Sequence, residues 1–238
     1  MRKNTLLIIG FFIIGMFGGI FADQILWPYF IERPLFNNYR LNQSPVYITE
    51  KKEIYIQENT ALQNAVEKVE RMVVGIRTIN ANGKIIEGSG LVVTSDGLLV
   101  TLAELVPQAS DFSFFINKEP VSYQILKRDQ KENLALVKIE NNDLQTAAFA
   151  EFDKIMLGER VFLLGTIFEE SVPKVVVNEG IIKNFSTSSI ETNIFEEVNL
   201  SGSVLFDIEG SVLGLNTIDF RGNVTSIPIN KIKEFSGL

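Results

Sequence analysis

The chain has 238 residues, 46% of them hydrophobic, with a formal net charge of −7. That is enough apolar material for one modest domain with a full core, and the acidic balance supplies no basic stripe for phosphates, which excludes a nucleic-acid binder. It contains no cysteine and no histidine. Disulfides, thiolate catalysis and ordinary transition-metal sites are therefore excluded; no metal site and no cofactor is expected, with only an oxygen-ligand ion such as calcium conceivable.

Arg2 and Lys3 precede an uncharged, mostly apolar run over residues 5–22. Eighteen helical residues cover roughly 27 Å, enough for a thin bilayer core. The two cations ahead of it predict a cytoplasmic tip over residues 1–4, a single-pass anchor in the cytoplasmic membrane over 5–22 and everything later outside. Trp27 and Tyr29 stand where an interfacial aromatic belt would. The alternative is a cleaved signal peptide and a secreted product; the run is longer than a usual signal core, and Ile20-Phe-Ala22 is a poor cleavage site. Gly15 and Gly19 have a spacing that lets two helices approach, although membrane helices tolerate glycine generally.

Residues 23–57 read as a stalk, cut by Pro28, Pro34 and Pro45, with one short docking strand expected at 46–48 or 54–56. The remainder, 58–238, reads as one domain. It opens on a short helix with Asn59 as its N-cap and Ala61, Leu62, Ala65, Val66 and Val69 on one face. From Val73 onward short β-branched runs alternate with turn signals at Asn82-Gly83, Asp96-Gly97, Glu209-Gly210 and Arg221-Gly222-Asn223. Such a pattern predicts a barrel or a sandwich and does not choose between them.

Five segments carry more than periodicity. Gly88-Ser-Gly-Leu-Val-Val-Thr-Ser-Asp-Gly-Leu-Leu-Val-Thr101-Leu-Ala-Glu104-Leu-Val106 is similar to the pattern G-S-G-F-I-I-S-x-D-G-Y-I-L-T-N-N-H-V-V. Asp129-Gln-Lys-Glu-Asn133-Leu-Ala-Leu-Val-Lys138 is similar to D-x-x-x-D-L-A-V-L-K. Asn199-Leu-Ser201-Gly-Ser-Val-Leu falls without a gap on G-N-S-G-G-P-L, inside a longer match from Ile190 to Thr217. Gly158-Glu-Arg-Val-Phe-Leu-Leu-Gly165 and Ser226-Ile-Pro-Ile-Asn230 match G-x-x-V-x-A-I-G and F-A-I-P-x-N. Taken in chain order, from about Glu58 to Asn230, the chain resembles the HtrA (high-temperature-requirement) family of trypsin-like serine proteases.

The resemblance implies an all-β, chymotrypsin-like pair of six-stranded β-barrels meeting near residues 142–150, with Glu104 and Asn133 on the first and Ser201 on the second. It places Ser201 on the nucleophile, Glu104 on the histidine and Asn133 on the aspartate, with Asn199, Leu200 and Ser201 forming the oxyanion region. It also implies that Thr192, Val224, Thr225 and Ser226 line the substrate cleft. A triad works because a hydroxyl attacks, a neutral imidazole takes its proton and a carboxylate holds the imidazole. Only the hydroxyl is present in this sequence. A glutamate with an ordinary pKa near ~4.3 is too weak a base at neutral pH, and loss of such a group costs on the order of 10⁶ in kcat.

The plainer reading of each residue is that Ser201 is a small turn residue, Glu104 a solvated carboxylate and Asn133 a strand-entry residue; Ser201 and Glu104 are expected to face each other across the barrel junction, within a short side-chain reach and without a third group orienting them. The function expected is therefore a membrane-anchored HtrA-like pseudoprotease, a binding or scaffolding module that holds an extended peptide or protein segment in the former substrate cleft. The alternatives are a residual serine endopeptidase that uses Ser201 with another or partner-donated base, and a structural spacer that forms a homo-oligomer. The family usually carries peptide-binding PDZ modules after the protease domain; the sequence runs eight residues past Asn230, so regulation by such a module is not expected.

Overall fold

The computed structural model describes residues 2–27, 58–141, 143–146 and 148–238. The stalk and the docking strands expected at 46–48 or 54–56 lie outside the described residues. The chain separates into two compact units, Met1–Ile54 and Tyr55–Leu238.

In the first unit, helix α1 (Arg2–Phe21) continues through a wider turn over Ala22–Leu26. The apolar stretch Leu7–Leu26 is long and apolar enough to cross a membrane and none of it is buried. Apolar side chains on every face suit a lipid environment. The span runs past its expected end at Ala22, because the one carboxylate at Asp23 does not interrupt the helical backbone.

The second unit starts with α2 (Glu58–Val69), one residue ahead of the expected cap Asn59. Ala65 and Val69 are buried, with Leu62 and Val66 packed beside them, as the 3.6-residue spacing requires. Thirteen strands follow: β1 (Val73–Ile79), β2 (Ile85–Val92), β3 (Leu98–Leu102), β4 (Asp111–Ile116), β5 (Glu119–Val121), β6 (Tyr123–Asp129), β7 (Leu134–Ile139), β8 (Arg160–Glu169), β9 (Val172–Ser186), β10 (Ser189–Phe195), β11 (Val204–Asp207), β12 (Val212–Ile218) and β13 (Asn223–Pro228). The chain closes with α3 (Ile229–Ser236).

The strands form two antiparallel sheets. The first runs β5-β4-β1-β2-β3-β7-β6, and the second is a closed barrel, β10-β13-β12-β11-β8-β9. The trypsin-like double-barrel arrangement is therefore present, with one difference: the first sheet has seven strands and is not closed by hydrogen bonds. Pro120 removes a donor from the three-residue β5. The two ends approach through side chains instead, with the Tyr123 ring 4.8 Å from Phe114 and 6.0 Å from Phe112.

One core cluster fills the first sheet around Ile76, Leu99, Phe114 and Val137. Another fills the closed barrel around Val161, Leu163, Leu205 and Leu213. The third lies between them and takes in α2 and α3; its Phe162 and Phe206 rings stack at 5.3 Å. This shared core fixes the two barrels against each other, and the site is built across that junction.

Candidate functional site

Glu104 and Asn133 are brought together by the ladder between β3 and β7. The last rung pairs Leu102 with Leu134, so the residues just outside it, Ala103 and Asn133, are adjacent, and the Ala103 amide donates to the Asn133 carbonyl at 3.1 Å. Asn133 adopts φ +52°, a left-handed conformation that asparagine tolerates better than most residues. That conformation turns its side chain back on the Ala103–Leu105 turn. The Glu104 amide donates to Asn133 Oδ1 at 3.1 Å, and Asn133 Nδ2 donates to Glu104 Oε2 at 3.2 Å. The turn is fixed from below by Thr78 Oγ1, which donates to the Leu105 carbonyl at 2.6 Å. The expectation that nothing orients Glu104 is thus corrected: Asn133 immediately precedes β7 and also grips the carboxylate, using the amide hydrogens that an aspartate lacks.

Ser201 lies in the loop between β10 and β11, only 4% exposed. Its carbonyl accepts the Ser89 amide of β2 at 3.0 Å. The next residue, Gly202, has φ +77°, and a Cβ there would lie 2.1 Å from the Ser89 carbonyl oxygen. Only glycine fits that conformation at that distance. The same added atom would come within 2.8 Å of Leu105 Cδ1, so the Glu104 turn and the Ser201 loop are packed side by side. Among the described residues, Ser201 Oγ has no hydrogen-bond partner.

The segment expected to form the oxyanion region is hydrogen-bonded within itself. The Ser201 backbone N–H donates to Asn199 Oδ1 at 3.0 Å, while Leu200 is fully buried in the barrel core and its carbonyl accepts the Ser203 amide at 3.0 Å. Asn199 is not among the residues with positive φ, so it holds the loop through its side chain. Below the loop, Asn216 Nδ2 donates to Ser203 Oγ at 3.0 Å and Ser226 Oγ donates to Asn216 Oδ1. All three are buried, which makes this a satisfied polar network that sets the floor of the site.

Two cavities meet at the Val198–Asn199 segment. A groove of ≈ 550 Å³ is lined by Ile85, Glu104, Phe168, Val198 and Asn199 among others. A second hollow of ≈ 320 Å³ lies beyond it, lined by Glu196, Glu197, Val198, Asn199, Asp219 and Phe220. Two of its carboxylates are engaged. Glu196 Oε1 accepts Asn178 Nδ2 at 2.8 Å, and hydrogen bonds from the Asn223 side chain, then from the Asn223 and Arg221 amides, hold the Asp219 carboxyl below its usual range. Among the described residues no group of three or more acidic, histidine or cysteine side chains gathers as a metal site.

The four residues expected to line the cleft do not line either cavity. Val224 and Ser226 are 1% exposed, and β13 is hydrogen-bonded on both flanks, with Thr225 opposite Glu191 on β10 and opposite Thr217 on β12. Thr192 is buried and directs its hydroxyl to the Val224 carbonyl at 3.4 Å. Thr225 and Ser226 are rungs between β10 and β12, while Thr192 and Val224 flank the irregularity between Glu191 and Phe195 in the β10–β13 ladder. Conversely, reading the sequence missed Ser89, which is fully buried and accepts the Thr166 amide on Oγ at 2.7 Å and the Thr101 hydroxyl on its carbonyl at 2.7 Å. The signal was the glycine on either side of it: Gly88, where a Cβ would lie 2.5 Å from the Ser201 carbonyl oxygen, lets β2 approach the loop.

Comparison with known proteins agrees with this geometry. A family model described as a trypsin-like peptidase domain matches residues 88–215, more than half of the chain. A Pseudomonas fulva protein described as a periplasmic DegP-like serine endoprotease is 26% identical over 119 residues, 48% of this chain and 24% of that protein. A Hahella chejuensis protein of the same description is 27% identical over 130 residues, 50% of this chain and 28% of its own length. The chain spans about a quarter of the length of these curated relatives. Among solved structures, an HtrA-type protease, AlgW with a tripeptide, superposes with a TM-score of 0.64 at 21% identity, over 74% of this chain and 62% of that one, a likeness of fold. With its core motifs, its two-barrel architecture and its DegP-like relatives in agreement, the chain belongs to the trypsin-like peptidase family, on its HtrA/Deg side.

Proposed function

We propose that this chain is a membrane-anchored HtrA-like pseudoprotease that holds an extended peptide or protein segment without cleaving it. The observation that carries the reading is the Glu104–Asn133 pair. At the position where the family pattern has its histidine stands a carboxylate whose own amide and Oε2 are both engaged by Asn133, in a chain with no histidine anywhere. A carboxylate in that role is a far weaker base toward a serine hydroxyl than an imidazole.

Binding asks less of the site than hydrolysis. The groove of ≈ 550 Å³ offers apolar walls at Ile85, Phe168 and Val198 beside polar groups at Lys84, Glu87 and Asn199, and a concave cleft of that mixed lining suits the side chains and backbone of an extended ligand. The HtrA-type neighbour was solved with a tripeptide, which is consistent with a peptide ligand here. For location, the reading rests on the apolar span Leu7–Leu26 with Arg2 and Lys3 ahead of it, which favours a cytoplasmic N-terminus, and on the periplasmic description of the relatives. The observation favouring a residual peptidase is the Ser201 loop itself, with its left-handed Gly202 and a serine Oγ that has no hydrogen-bond partner among the described residues.

A fluorophosphonate probe separates the two. The full-length protein in detergent is expected to stay unlabelled while binding a fluorescent unfolded polypeptide such as reduced casein. Stoichiometric labelling that disappears in Ser201→Ala would establish a peptidase, and absence of both labelling and binding would move the assignment to a structural spacer.

A further inference from the structure

The Ser201 loop carries an internal occupant. In acyl transfer by this constellation the nucleophile's own backbone N–H is one of the donors that hold the developing oxyanion. Here that N–H already donates to Asn199 Oδ1 at 3.0 Å. The pattern residue at this position is glycine, which has no side chain to place there; the asparagine brings an amide oxygen to the place a substrate carbonyl oxygen would take.

The local explanation is an ordinary one: asparagine often accepts the amide two residues on, and so caps a turn. Location distinguishes the two accounts. Asn199 lines both the ≈ 550 Å³ groove and the ≈ 320 Å³ hollow, so a chain laid across the junction passes directly over it. The backbone of the loop is also held without it, by the Ser89 amide on the Ser201 carbonyl, the Gly202 amide on the Asn216 carbonyl at 2.8 Å and the Ser203 amide on the Leu200 carbonyl. A turn fixed at three other points does not depend on a fourth.

We infer that Asn199 is a plug: its side-chain oxygen competes with any ligand carbonyl or carboxylate for the Ser201 N–H, so that a bound peptide is held without being polarised. This rests on the non-cleaving reading of the groove and adds a second lock to it, independent of Glu104. It follows that restoring the two triad positions alone leaves the site closed.

The test compares four full-length proteins in detergent: the unsubstituted chain, Asn199→Gly, Glu104→His with Asn133→Asp, and that pair combined with Asn199→Gly. Fluorophosphonate labelling of Ser201 is expected to be at least about 10²-fold faster in the triple variant than in the double, the scale of one oxyanion donor. Equal rates would overturn the plug, whereas labelling of the unsubstituted chain would overturn only the non-cleaving reading. Should neither variant label, the Ser201 amide resonance in ¹⁵N-serine-labelled protein decides with acetate as the probe anion. A shift in Asn199→Gly but not in the unsubstituted chain supports the plug; no shift in either, or the same shift in both, overturns it.

Discussion

Ser89 donates its backbone hydrogen to the carbonyl of Ser201 at 3.0 Å, so a strand of the first sheet and the loop of the second barrel form one hydrogen-bonded unit. A glycine stands on each side of that bond. At Gly88 an added Cβ would lie 2.5 Å from the Ser201 oxygen, and at Gly202 it would lie 2.1 Å from the Ser89 oxygen. Gly202→Ala adds the left-handed penalty of ~1–2 kcal/mol to a backbone clash. A loss of at least ~2 kcal/mol is expected, lowering Tm by about 4 °C or more for a domain of this size. A melting point unchanged within about a degree would show that the loop and strand separate at little cost.

How much of this was legible beforehand differs from residue to residue. The barrels were readable because β-branched runs, turn glycines and five family patterns agree in order, and the positions of Glu104, Asn133 and Ser201 followed from them. Their partners were not readable. That Asn133 grips Glu104 depends on a φ of +52°, and that Asn199 caps the Ser201 amide depends on a rotamer; neither is written in a linear pattern. The surroundings of Thr192, Val224, Thr225 and Ser226 were not readable for another reason: alternation identifies a strand but not which of its edges is already paired, and β13 has a neighbour on both.

The Glu104–Asn133 contact makes a pH-dependent prediction through substitution. Asn133→Asp replaces the amide that donates to Glu104 Oε2 at 3.2 Å with a second carboxylate. Two carboxylates sharing one site raise the pKa of the pair, so in the folded variant the value lies above the unfolded one. Protonation then favours folding: the destabilisation is fully present above that raised value and is relieved as pH falls through it. Because Glu104 is exposed, the cost at neutral pH is expected to be about 1 kcal/mol. Urea midpoints at acid and neutral pH check this, and a difference from the unsubstituted protein that is constant with pH would contradict it.

The turn that delivers Asn133 has its own acid limit. Asp129 Oδ1 accepts the amides of Glu132 at 3.1 Å and Lys131 at 2.9 Å, and these bonds, the Glu132 amide foremost, hold the carboxyl below its ordinary value. A depressed carboxylate stabilises the fold above its unfolded pKa, and the contribution is lost as pH falls through the folded value. The turn is therefore expected to stay formed through mildly acid conditions. A carbon-detected titration of the Asp129 carboxyl should give a midpoint below that of an unfolded peptide; a midpoint at or above it would remove this brace from the site.

Where a peptide lies can be decided by contrasting the groove with the barrel wall. Phe168 and Val198 line the groove, and Val198 is 48% exposed, so Val198→Asp sets a charge in an apolar wall without touching a ladder hydrogen bond. It is expected to leave Tm nearly unchanged and to weaken binding of an unfolded polypeptide by about tenfold or more, the effect of ~1.4 kcal/mol. Thr225→Pro acts on the other surface. Thr225 sits between Glu191 and Thr217 in a closed sheet, where proline removes a donor and distorts a central strand. Its expected signature is a fall in Tm, with any loss of binding following from unfolding. If instead Thr225→Pro kept its stability and lost its ligand while Val198→Asp bound normally, the peptide would lie along β13 and the groove would not be its site.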